Sequence, residues 1–148
     1  VEMVNNVILF CETLFEENSI VCEFTHNEDF ILSCSQSDFS DSILNIIENS
    51  IHALVNNKNK EDRYILINFS NKVLSIKDSA DGVEEDVLSK IYEPYFSTKH
   101  QSFGVGLGLF TVNEFFTRNL EFEIEFKNEE FKHKNKKLKG LSINKKFN

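Results

Sequence analysis

Glycine, proline, methionine and tryptophan are scarce in this chain. Its 148 residues include five glycines, one proline, one methionine and no tryptophan. That scarcity rules out a Gly/Ser linker, a Pro-rich segment or a collagen-like repeat, and no internal domain boundary is visible. Cysteine is nearly as sparse. Cys11, Cys22 and Cys34 are odd in number, lie in apolar surroundings and lack metal-ligand spacing. They read as core thiols of a reducing cytoplasm, neither a disulfide scaffold nor a zinc site. The four scattered histidines add no zinc pair. No apolar run approaches the roughly 18–20 residues that span a bilayer, and no secretory leader is visible. Acid is missing from one end only: residues 132–148 hold seven lysines and no Asp or Glu, in a chain of net charge −8. The acidic body argues against nucleic acid or an anionic membrane as the main partner. The basic run KHKNKKLKG reads as a solvated loop between strands, with a docking patch as the alternative.

What is present is one domain's worth of chain, residues 1–148, with 41% apolar residues to build a core. Val4, Val7, Ile8, Cys11, Leu14 and Phe15 make a helical stripe over 2–17. IVCEFT (20–25) and DFILSCS (29–35) read as short strands. Residues 37–56 form the strongest helix, capped by Ser37 or Asp38, with Leu44, Ile47, Ile51 and Leu54 in three-four rhythm. RYILINF and KVLSIKD read as a hairpin around Ser70-Asn71. EEDVLSKI reads as a short helix and residues 105–117 as a longer one. LEFEIEF alternates as a strand, and LSINKKF is the last strand. The order αββαββααββ is an α+β pattern: a mixed sheet paired mainly as hairpins, with helices gathered on one face as a two-layer sandwich.

Three features carry candidate chemistry. Asn45 and Asn49 are one turn apart on the long helix, beside its apolar stripe, and His52 follows at the next turn. In KDSADGV, Asp78 ends an apolar strand and Gly82 permits a tight turn. A carboxylate there can accept a hydrogen bond from an exocyclic amine; Asp and Gly are also ordinary turn residues. In FSTKHQSFGVGLGLF, three of the five glycines, Gly104, Gly106 and Gly108, precede a helical run. Glycines let the backbone approach a ligand closely, and a helix start offers free N–H groups, so the stretch suits an anion such as phosphate. No GK[ST] follows, which excludes a P-loop, and no strand leads directly into it, which excludes a Rossmann turn.

Taken in order, LNIIENSIHA (44–53), DSADG (78–82), IYEPYFSTK (91–99) and GVGLGL (104–109) resemble the N box, first glycine box, F box and second glycine box of the GHKL (Bergerat) ATP-binding superfamily. The EPYFSTK wording resembles the sensor histidine kinase branch. The resemblance implies a two-layer α/β sandwich that binds ATP and Mg²⁺ and donates the γ-phosphoryl group to a histidine on a separate dimerisation hairpin, with a response regulator downstream. It implies that Asn49 coordinates Mg²⁺, Asp78 bonds the adenine amino group, Gly82 closes the turn with Ala80 and Val83 beside it, and His52 and Lys99 lie near phosphate. Gly104, Gly106 and Gly108 would let a lid fold over ATP and present backbone N–H groups to the phosphates, with Val105, Leu107 and Leu109 in the same cofactor-binding run. The lid, around 97–105, is expected to be poorly ordered without nucleotide. Asn45 stands where hydrolysing relatives carry a glutamate base, and Glu48 is poorly aimed to replace it, which implies phosphoryl transfer with little hydrolysis.

Two departures stand out. Ala80 occupies a usual glycine position, at a cost of roughly 1 kcal/mol if φ must be positive. TRNL replaces the usual Gly-Gly after the 105–117 helix. His26, His100 and His133 lack the setting of a phosphoacceptor. The chain is therefore expected to be a largely monomeric, cytoplasmic catalytic fragment of a longer kinase, without its acceptor hairpin and sensor. The alternatives are a degenerate nucleotide-responsive module, or a GHKL ATPase or anti-sigma-factor serine kinase.

Overall fold

The computed structural model describes residues 2–27, 36–83 and 124–146. The expected strand at 29–35, the helices at 84–91 and 105–117, the F box, the second glycine box and the lid fall outside them.

The N-terminal stripe forms two helices, α1 (Glu2–Phe10) and α2 (Glu12–Glu17), rather than one. The joint is Cys11, whose N–H is shared between the carbonyls of Val7 and Ile8, each at 3.1 Å. Val4, Val7, Cys11 and Phe15 are buried as the stripe requires, whereas Leu14 is exposed. Strand β1 (Val21–His26) follows. Helix α3 (Gln36–Asn57) starts earlier than expected, so Ser37 and Asp38 lie inside it. Its buried stripe differs from the expected one: Leu44 is only half-buried, while Phe39, Ile43, Ile46, Ile47, Ile51 and Leu54 face the core in three-four rhythm over about four turns.

A 3-10 turn at Lys60–Asp62 leads into β2 (Tyr64–Ser70) and β3 (Val73–Asp78). They form the expected hairpin, turning at Asn71-Lys72 with φ of 52° and 62°. Two left-handed residues in a two-residue loop match the twist of the flanking strands. In both strands burial alternates, with Ile65, Ile67, Phe69, Leu74 and Ile76 pointing into the core.

Strands β4 (Ile124–His133) and β5 (Lys136–Lys146) form a second hairpin. The described strands make a mixed sheet in the order β1-β2-β3-β5-β4. The β1–β2 pair is parallel and the others are antiparallel. Phe126 and Ile143 complete the helix-facing side, so one core lies between sheet and helices. This is the expected two-layer α+β sandwich.

The lysine-rich run is not a solvated loop. KHKNKKLKG is the tip of the β4–β5 hairpin, turning at Lys134-Asn135 with φ of 50° and 67°. Strand β5 pairs with β3 only over residues 142–146, so the tip overhangs the end of β3. It reaches across the sheet face turned away from the helices. Lys77 Nζ lies 5.5 Å from the Phe131 ring centroid, and Lys136 Nζ 5.4 Å from that of Tyr64. Lys136 also donates to the Glu61 carbonyl at 2.8 Å and lies 3.3 Å from Asp62 Oδ1. His133 stacks edge-on against Tyr64 and meets Glu23 of β1. Lys136 and His133 of the hairpin lie against Tyr64 here, which a count of charges along the sequence hides.

Candidate functional site

The overhanging hairpin and α3 enclose the segment Asp78–Val83 from two sides. Asp78 ends β3 on the core-facing side and is almost fully buried, at 4% exposure. Buried carboxylates need donors. Ser50 of α3 donates its hydroxyl to Asp78 Oδ2 at 3.0 Å. The backbone N–H of Ala80, at 3.1 Å, and of Leu141, at 3.3 Å, donate to Oδ1. The carboxylate is thus fixed by a helix, by its own loop and by β5.

Ser79, fully buried, ties the loop down. Its hydroxyl donates to the Asp62 carbonyl at 2.6 Å and accepts from the Tyr64 N–H at 2.9 Å. Ala80 is buried, and its φ is not among the positive ones; the left-handed residues are Asp81 (69°) and Gly82 (77°). The strain considered for alanine at this position therefore does not arise. The left-handed step falls instead on Asp81, a residue type that tolerates it, and on glycine. Asp81 donates its N–H to the Lys139 carbonyl at 2.9 Å, and its side chain pairs with Lys58 Nζ at 3.1 Å. Val83 exchanges two hydrogen bonds with the side-chain amide of Asn128 on β4.

Asn45, Asn49 and His52 lie along α3, half-buried, next to the turn that delivers Ser50. The amide nitrogen of Asn49 donates to the Asn45 carbonyl at 2.8 Å. His52 shares a hydrogen bond with Asn56 at 3.0 Å. Glu48 is exposed. Among the described residues, no group of three or more His, Cys, Asp or Glu could hold a metal. If a divalent cation binds here, the Asn49 side-chain amide is the group of α3 that would hold it, and the cation would supply charge neutralisation. Lys99, Gly104, Val105, Gly106, Leu107, Gly108 and Leu109 lie outside the described residues.

Sequence reasoning missed Ser50, Ser79, Asn128 and Gly140. Serines and asparagines carry little signal by themselves. Gly140 did carry one. In a chain with five glycines, both described ones, Gly82 and Gly140, flank the Asp78 segment. A Cβ on Gly140 would run into the Asp78 carbonyl oxygen, so only glycine lets β5 cross the end of β3 so closely.

The family model described as histidine kinase-, DNA gyrase B-, and HSP90-like ATPase matches residues 35–143, well over half of the chain. The chain belongs to this family. Within it, sensor kinases are similar in sequence. Sporulation kinase A of Bacillus subtilis is 25% identical over 107 residues, covering 72% of this chain and 18% of that protein. Sensor kinase CckA of Brucella abortus is 48% identical over 40 residues, 27% of this chain and 4% of that protein. The chain thus spans about a fifth of the length of Sporulation kinase A. Among solved structures, a nucleotide-free form of the catalytic domain of histidine kinase ThkA has a TM-score of 0.70 at 21% identity, covering 98% of this chain and 92% of that one. The mycobacterial sensor histidine kinase MprB gives 0.68 at 14% identity, with the same coverage. At these identities the likeness shows the shared fold of the family's kinase catalytic domains. No helix among the described residues is long and apolar enough to cross a membrane.

Proposed function

We propose that this chain is the catalytic, ATP-binding domain of a sensor histidine kinase. It binds ATP with Mg²⁺ and donates the γ-phosphoryl group to a histidine on a separate dimerisation hairpin. The observation that carries the reading is Asp78. It is a buried carboxylate held by donors from three elements, at the position matching the family's adenine-reading aspartate. A group held so firmly is preorganised to accept a hydrogen bond from an exocyclic amine. Gly82 and Val83 shape the wall beside it, with Ala80 beneath. Asn49, with its amide oriented by Asn45, would hold Mg²⁺, which supplies charge neutralisation between phosphate oxygens. His52, Lys99 and the glycine-rich run at 104–109 would face the phosphates.

Phosphoryl transfer asks little covalent chemistry of the protein; positioning and electrostatic stabilisation dominate. Asn45, where a general base would stand, cannot accept a proton at neutral pH. Glu48, exposed, is not placed to replace it. This favours transfer over hydrolysis. A histidine kinase of this fold has been solved in complex with a response regulator, ThkA with TrrA, and a response regulator is the downstream partner proposed here. The domain is taken to be cytoplasmic and monomeric by itself. The test is transfer in trans. Incubated with ATP, Mg²⁺ and an added phosphoacceptor hairpin, the wild type should form acid-labile phosphohistidine, and Asn49→Ala should not. Transfer undiminished in Asn49→Ala would remove the assigned metal ligand. Steady ATP hydrolysis without transfer would favour an ATPase.

A further inference from the structure

The site described above explains how Asp78 is held. It leaves open why an asparagine interrupts β4 where the core pattern calls for an apolar residue. Along the core-facing side of β4, Phe126 is buried, and the next residue on that side is Asn128, half-buried. Asn128 lies where the β4–β5 hairpin leaves β3 and meets the loop after Asp78. Its side-chain amide treats Val83 as a neighbouring strand would. Oδ1 accepts from the Val83 N–H at 2.9 Å, and Nδ2 donates to the Val83 carbonyl at 2.6 Å. Asparagine is the shortest side chain that carries a donor and an acceptor on one planar group, so it can satisfy both polar groups of one loop residue. The preceding residue, Gly82, leaves no room for a side chain: a Cβ there would run into Asn128 Oδ1. Loop and side chain are therefore mutually fitted.

From this interlock we infer that Asn128 is a positioning residue for nucleotide recognition, setting the base-facing loop by clamping its far end. The loop is pinned at three points. Asp78 is fixed by Ser50 and Leu141, Asp81 by the carbonyl of Lys139, and Val83 by Asn128. Two of these points belong to β5 and one to β4, so the hairpin sets the shape of the loop. Releasing Val83 frees the left-handed Asp81-Gly82 step, and with it the surface against which a base would lie. The effect of Asn128 passes through the loop; it need not touch the nucleotide.

The inference rests on the reading of this loop as an adenine site, and the test separates the two. Wild type, Asn128→Ala and Asn128→Asp are titrated with a non-hydrolysable ATP analogue and with its guanine counterpart, each with Mg²⁺. The wild type should bind the adenine analogue in preference to the guanine one. Asn128→Ala, confirmed folded by its circular dichroism melt, should lose about tenfold in adenine affinity and most of that preference. A variant weakened only in stability would keep the preference in its folded fraction. Asn128→Asp keeps the acceptor and loses the donor, and should fall between. If the wild type binds neither analogue, the functional reading fails. If it binds and Asn128→Ala keeps both affinity and preference, the positioning role alone fails. Amide hydrogen exchange on the wild type adds a readout that needs no variant. The Val83 amide should be protected to a degree comparable with the hydrogen-bonded amides of Ala80 and Asp81 in the same loop, and rapid exchange there would overturn the clamp.

Discussion

Replacing Gly140 by alanine should damage the site and the fold together. A Cβ at this position would lie 2.5 Å from the Asp78 carbonyl carbon and 2.7 Å from its Oδ1, and closer still to the carbonyl oxygen. These are mainly backbone atoms at the end of a paired strand, so no side chain can swing aside. Strand β5 must lift away from β3. Lifting loosens the Leu141 N–H to Asp78 bond and the Asp81 N–H to Lys139 bond. Two hydrogen bonds at ~1 kcal/mol each, with overpacking of ~1–3 kcal/mol, give a total loss of about 3–5 kcal/mol. That is a large share of the ~5–15 kcal/mol that holds an ordinary domain together. In urea the midpoint should fall with little change in slope, and the thermal midpoint should drop by about 6–20 °C at ~2–4 °C per kcal/mol. Nucleotide affinity should fall as well, because Asp78 loses a donor. A Gly140→Ala protein within about 0.5 kcal/mol of wild type would refute the close crossing of β5 over Asp78.

Three further outcomes follow from the same contacts. Ser50→Ala removes the hydroxyl that serves a buried carboxylate oxygen; it should cost about 1–3 kcal/mol in urea unfolding and weaken nucleotide binding, and unchanged binding would detach Ser50 from the site. Leu54→Ala, fully buried in α3 one turn beyond Ser50, should cost about 2–5 kcal/mol; if it changed nucleotide affinity more than stability, the division between core and site would be wrong. Burial pushes the Cys22 thiol up to about 12 and raises that of Cys11. Neither is a thiolate near neutral pH, so peptide mapping after iodoacetamide at pH 8 should find both unlabelled in the folded protein and labelled in urea.

Much of this was legible in the residues. The three-four rhythm of α3, the alternation in β2 and β3, and the order of the boxes point to the two-layer sandwich and to Asp78. Each is a local pattern that survives folding, because the apolar period decides which face is buried. What was not legible depends on contacts between distant segments. KHKNKKLKG (132–140) reads as a solvated loop because lysines dominate it; only the position of Tyr64, Glu23 and Asp62 turns those residues into a hairpin lying over the sheet. The helix break at Cys11 has no Gly or Pro to announce it. The backbone conformation of Ala80 could not be read from the box, since the left-handed step sits one residue later, at Asp81. Asn128 is 45 residues from the Val83 it holds, and no local pattern links them.

The most direct test of the central claim is calorimetric titration of the wild type and of Asp78→Asn with a non-hydrolysable ATP analogue and Mg²⁺. An asparagine at this position can keep an oxygen toward the Ala80 and Leu141 N–H groups but replaces Oδ2 with an NH₂ donor, which cannot accept from an exocyclic amine. We expect micromolar-to-millimolar binding by the wild type and its collapse in a folded Asp78→Asn protein. A folded wild type that does not bind, or an Asp78→Asn variant that binds equally well, would contradict the assignment of this loop as the adenine site.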